Sequence, residues 1–169
     1  MKKKTNKPNY AFIDSQNLNL SIENLGWKLD FTKFRIFLKD KHKVKKAFIF
    51  IGYLTGNEAL YTALQNAGYI LVFKPTLEAN GQIKGNCDAE LVMHCMIQYK
   101  NFNKAIIISG DGDFHCLIEH LAENKKLLKV GIPDRKRYSS LLRKFRSPYF
   151  FYVSDLKHKL EYKKRVKRR

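Results

Sequence analysis

Four aspartates hold the chemistry that this chain could do. Asp14 closes the apolar run "YAFID", Asp88 opens the helix-period stretch "CDAELVMHCM", and Asp111 and Asp113 stand one residue apart in "IIISGDGDF". Carboxylates gathered in one place repel, and a pair about 4 Å apart costs roughly 4 kcal/mol at an effective dielectric of 20. A divalent cation removes that cost, and an all-oxygen ligand set selects hard Mg²⁺ or Mn²⁺ over zinc. Each acid also has a plainer reading. Aspartate is a favoured helix N-cap, so Asp111 or Asp113 could start "DFHCLIEHL" and Asp88 its own helix. For Asp14 the plain reading is a turn hydrogen bond at a strand end.

The elements that must position these acids are written in the hydrophobic pattern. Residues 10–14, 47–54, 69–74, 104–109, 127–132 and 149–154 read as short strands, the middle ones apolar on both faces. Such strands belong in a sheet covered by helices on both sides. The segments between them place apolar residues three or four apart. The fold class is therefore α/β, with a mainly parallel sheet, right-handed crossovers and a three-layer α/β/α build. Thr55 and Asp30 are expected to cap helices, Gly68 to end one, and the stretch 78–85 to be an exposed loop. In a sheet of this kind ligands bind beyond the C-terminal strand ends. Asp14 and the Asp111–Asp113 turn meet there if their strands are neighbours. Asp88 shares its helix stripe with Leu91, Val92 and Cys95, which points it towards the same rim, whereas Glu90 lies about 200° further round.

A net charge of +18 on 169 residues, with 44% hydrophobic content, describes a folded globule with a cationic surface. Its expected partner is a polyanion, with nucleic acid ahead of an acidic membrane surface. The basic C-terminal run has no apolar stripe for a membrane interface, and no segment reaches the roughly 18 consecutive apolar residues of a span. Cys87, Cys95 and Cys116 are odd in number and read as reduced thiols, in keeping with a cytoplasmic location. A zinc site from Cys87, His94, Cys95, His115 and Cys116 has none of the usual ligand spacing. His42, His115, His120 and His158 have no nucleophile or carboxylate partner at diagnostic spacing, and Trp27 reads as core.

Three stretches carry a resemblance. "FIDSQNLNL" (12–20), "KGNCDAELVMH" (84–94) and "IIISGDGDF" (106–114), in this order and followed by "LLKVGIP", are similar to the NYN domain, a branch of the PIN-like nucleases that includes LabA-type bacterial proteins. The resemblance runs from about Tyr10 to Asp155. It divides the chain into a basic arm (1–9), a nuclease domain (10–155) and a basic tail (156–169). It implies a Rossmann-like domain that cleaves RNA with Mg²⁺ or Mn²⁺ held by Asp14, Asp88, Asp111 and Asp113. It also implies supporting roles for Asn17, which follows the first aspartate, and for Ser109 before the pair. Where many members carry a further aspartate, six residues past Asp88, this chain has His94.

On this reading the enzyme is a metal-dependent ribonuclease in which the ion activates a water and no side-chain nucleophile is used. An aspartyl phosphatase would want Asp-x-Asp after the first strand, where this chain reads "DSQ". Lys84 and Ser109 could steer the phosphate. Arg135, Lys136, Arg137, Arg143, Lys144 and Arg146 would form the nucleic-acid track, with Tyr138 and Phe145 as stacking partners. The bland alternative for that track is a solvated helix with Phe145 and the leucines on its core side. The rival function is a non-catalytic RNA-binding module. The oligomeric state is open, a homodimer included.

Overall fold

The computed structural model describes residues 7–75, 77–79, 82–84 and 88–164, without the side chains of 75, 77–79 and 82–84. In chain order the first elements are β1 (Asn9–Asp14), α1 (Ser15–Asn24), α2 (Phe31–His42), β2 (Val44–Tyr53), α3 (Glu58–Asn66) and β3 (Tyr69–Pro75). A short pair, β4 (Leu77–Ala79) and β5 (Gln82–Lys84), precedes α4 (Asp88–Ile97) and β6 (Ala105–Ile108). The chain continues through α5 (His115–Glu123), β7 (Leu127–Ile132), the turn α6 (Arg146–Tyr149), β8 (Phe150–Tyr152) and α7 (Lys157–Leu160).

Six strands form one sheet in the order β3-β2-β1-β6-β7-β8, and every pairing in it is parallel. Alternation of side chains explains why both faces are apolar. Along β6, Ile107 enters the core under α4 and α5, while Ile106 and Ile108 enter the core under α1, α2 and α3. The chain builds outwards from β1 to β3, then returns to the other side of β1 as β6. Strand order thus reverses between β1 and β6, where Ile13 pairs with Ile108, and a crevice opens beyond their C-terminal ends.

Local chemistry sets the ends of the helices. Asp30 caps α2 by accepting from the Lys33 amide at 3.0 Å, and Gly68 leaves α3 with φ +95°, a backbone that favours glycine. Asn57, not Thr55, precedes α3, and its side chain makes no cap bond. The stretch 78–85 is not simply a loop, because β4 and β5 pair antiparallel across it.

Two further expectations change. "RYSSLLRKFR" forms no α-helix: Ser139 starts a 3₁₀ helix, Ser140–Phe145, which buries Leu142 and Phe145. Apolar residues three apart fit a 3₁₀ turn as well as an α-helix, so the spacing did not discriminate. The basic tail, which its charge alone would leave in solvent, is docked at its start. Leu160 is buried against the α2 side of the sheet, and the Tyr162 amide donates to Lys28 O at 2.8 Å.

Candidate metal centre

Asp14 ends β1 and is nearly buried, and both its carboxylate oxygens are used by the protein. Oδ1 accepts from the Asn17 amide at 3.1 Å, which caps α1, and Oδ2 accepts from the Ser109 hydroxyl at 2.9 Å. Ser109 Oγ in turn accepts from the Asp111 amide at 3.1 Å, while Asn17 Oδ1 accepts from the Gly110 amide at 2.8 Å. The end of β1 therefore sets the path of the turn that leaves β6. Burial pushes the Asp14 carboxyl above the usual aspartate range, the Asn17 and Ser109 hydrogen bonds pull it partly back, and the charges of Asp88 and Asp111 push it up again.

Asp88, Asp111 and Asp113 come together on the open side of this turn. One carboxylate oxygen from each lies within 4.8 Å of the others. Asp88 is the first residue of α4, and Asp111 caps the 3₁₀ turn Gly112–Phe114 by accepting from the Asp113 amide at 3.0 Å. Capping uses only Oδ1 of Asp111. Two unit charges about 5 Å apart repel by roughly 3 kcal/mol at an effective dielectric of 20, less where water reaches Asp113. Among the described residues no Lys or Arg forms an ion pair with Asp14, Asp111 or Asp113. The donors are all carboxylate oxygens at the spacing of a shared cation, so the set fits Mg²⁺ or Mn²⁺.

The candidate nitrogen and sulfur ligands lie elsewhere or do other work. Cys87 and the side chain of Lys84 lie outside the described residues. Burial pushes the Cys95 thiol up to about 12, so it is no thiolate at neutral pH. His94 packs edge-on against Phe50, ring centroids 5.6 Å apart, and Glu90 pairs with Lys74 at 3.6 Å.

The basic segment after β7 lies directly on the acidic turn. The Ser139 amide donates to Gly110 O at 3.0 Å, and a Cβ on Gly112 would overlap the Ser139 side chain. Only glycine fits there. The cations of the segment divide into two groups. Arg135 pairs with Asp155 at 2.7 Å, Lys144 with Glu119 at 2.7 Å, and Arg146 donates to the hydroxyls of Tyr152 and Tyr138 at 3.1 and 3.3 Å. Lys136, Arg137 and Arg143 are exposed, and their side chains have no protein partner among the described residues. Phe145 is core, so it is withdrawn as a stacking partner, and Tyr138 is packed against Phe150 and Tyr152.

The sequence reading missed a cavity of about 530 Å³ that opens beside Asp14, between α1 and α3. One signal was available: Leu20 falls off the α1 stripe of Leu18 and Ile22 and is half exposed.

Ser109 gives the sharpest local test. Ser109→Ala removes a donor from buried Asp14 and an acceptor from the Asp111 amide, so metal affinity or activity should fall roughly 10- to 100-fold, as for other residues that orient ligands. Calorimetric titration with Mn²⁺ reads the loss.

A family model described as NYN domain matches residues 10–154 of the chain. A crystal structure of a protein of unknown function from Vibrio parahaemolyticus has the same fold, with a TM-score of 0.74 at 20% identity, covering 95% of this chain and 99% of that one. No curated protein matches the chain.

Proposed function

The chain belongs to the NYN domain family, a branch of the PIN-like nucleases, and on that premise we propose that it is a metal-dependent ribonuclease cutting RNA phosphodiester bonds at its aspartate rim. The observation that carries the reading is the convergence of Asp88, Asp111 and Asp113 at the strand-order reversal, beneath a basic segment. These three would hold Mg²⁺ or Mn²⁺, with Asp14 adding its charge beside them. When bound, the ion supplies an activated water and neutralises charge on the attacked phosphate.

The remaining steps fall to the chain's own residues. Asp14 and Asn17 hold Ser109 and Gly110, and through them keep Asp111 aimed at the crevice. Lys136, Arg137 and Arg143 bind backbone phosphates, which carry no sequence code. Arg135, Lys144 and Arg146 shape that surface through their acid and tyrosine partners. The arm 1–9 and the cationic residues after Tyr162 add non-specific affinity. Among the described residues no helix is long and apolar enough to cross a membrane. A cytoplasmic location is part of the proposal, supported by the free Cys95 and Cys116.

The direct test incubates purified protein with labelled RNA and DNA in Mn²⁺, Mg²⁺ or chelator. RNA cleaved only with the cation is the expected result. RNA bound but intact in every condition would assign the same surface to a non-catalytic RNA-binding module. The track is tested separately by salt: removing Arg137 and Arg143 should flatten the slope of log affinity against log salt by about 0.7 per lost single-strand contact.

A further inference from the structure

The cavity beside Asp14 has a chemistry of its own. It lies on the face of the sheet that carries α1 and α3, and Asp14 lines it and is joined to the acidic rim through Ser109, which accepts from the Asp111 amide. Leu20 and Leu60 line it at 50% and 44% exposure, with the partly buried ring of Phe31 as an aromatic wall. Two hydrophobic side chains left this open, on different helices facing one cavity, mark apolar surface that the fold itself does not cover.

Polar groups line the same space. Asn19 Nδ2 donates to Glu23 Oε1 at 3.0 Å, while the Asn19 carbonyl oxygen and the Gln16 amide have no protein partner among the described residues. Apolar walls with a few polar edge groups are the lining of a small-molecule site, and the volume suits a ligand of nucleoside size.

We infer that this cavity seats one unpaired base of the nucleic acid whose adjoining phosphate lies at the acidic rim. A nucleobase has apolar faces for Leu20, Leu60 and Phe31 and a donor and acceptor edge for Gln16 and Asn19. A base still paired in a duplex does not reach such a site, so the seat admits only a base turned out of pairing. The neighbouring rim sets the occupant: Asp14 borders the cavity and is tied through Ser109 to the turn that carries Asp111, and a nucleotide carries base and phosphate on one sugar. A leucine-bearing protein helix would match the walls but offers the rim no phosphate. The inference deepens the ribonuclease reading and rests on it for the identity of the neighbouring group.

Base binding is measured without metal, which separates the two. In excess EDTA, methyl-labelled protein is titrated with AMP, GMP, CMP and UMP, with ribose 5-phosphate as the base-less control. The Leu20 and Leu60 methyl signals should shift with at least one nucleotide and not with the control. Leu60→Ser, at a half-exposed position where the change leaves the core intact, removes an apolar wall and should weaken that nucleotide about tenfold, with Mn²⁺ binding unchanged. Leu20→Ser checks the opposite wall. Silent methyl signals with all four nucleotides, equal shifts with ribose 5-phosphate, or shifts only with an amphipathic leucine-rich peptide overturn the inference. RNA cut in Mn²⁺ while these signals stay silent leaves the ribonuclease reading intact. Nucleotide bound by a protein that never cuts RNA overturns that reading alone.

Discussion

Asp111→Asn is expected to lower RNA cleavage in Mn²⁺ by about a thousandfold or more, a loss of roughly 4 kcal/mol in transition-state stabilisation. The substitution is nearly isosteric, and the asparagine oxygen can still accept from the Asp113 amide, now at 3.0 Å, so the 3₁₀ turn keeps its cap. What disappears is one negative charge from a cluster whose ligand atoms lie within 4.8 Å of one another. RNA binding in chelator should stay equal or tighten, since the phosphate then meets less repulsion. Single-turnover cleavage and anisotropy, run side by side, separate the two effects. Cleavage at the wild-type rate would refute the metal assignment.

Divalent cation should also hold the fold together. At a free Mn²⁺ concentration about 100 times its dissociation constant, linkage adds about 2.7 kcal/mol, which for a chain of this size raises the melting temperature by roughly 5–10 °C. The pH dependence follows from Asp14. Its folded-state carboxyl sits above the ordinary aspartate value of 3.8, mainly through burial, with Asp88 and Asp111 adding to the rise. The cation-free protein therefore has the full stabilising contribution of protonated Asp14 below the unfolded value and loses it as pH rises through the folded one. Binding a cation favours the ionised form. The Mn²⁺-induced shift should accordingly grow as pH rises through that window and collapse in acid, as differential scanning calorimetry at several pH values can read. Asp14→Asn should melt higher than wild type in chelator at pH 7 and respond less than wild type to Mn²⁺. A shift independent of pH would mean that Asp14 is not coupled to the ion.

Much of this arrangement could be read before the coordinates. Ile106 to Ile108 and Tyr10 to Ile13 announce doubly buried strands, because a half-buried strand alternates and these runs are too short for a helix. The sequence could not state that β1 and β6 are neighbours; it made the meeting of Asp14 with Asp111 conditional on it, and the pairing of Ile13 with Ile108 meets that condition. Other features depend on contacts between distant residues. Nothing in the spacing of Gly112 and Ser139 predicts that one backbone lies against the other's side chain. Phe145 was ambiguous because a ring in a basic stretch serves a core as readily as a base, and only the 3₁₀ turn decides it. The dual use of Asp14, as helix cap and as partner of Ser109, was hidden for the same reason: Ser109 lies 95 residues away.

The close fit of Ser139 over Gly112 also bears on how such proteins can be recombined. The acidic turn and the cationic segment are a matched cassette: a segment 133–146 transplanted from another chain would seat only if its residue at 139 stayed small and the recipient kept glycine at 112. A swap that ignores this lifts the segment off the rim and costs the proposed cleavage while Asp14, Asp88, Asp111 and Asp113 all stay in place.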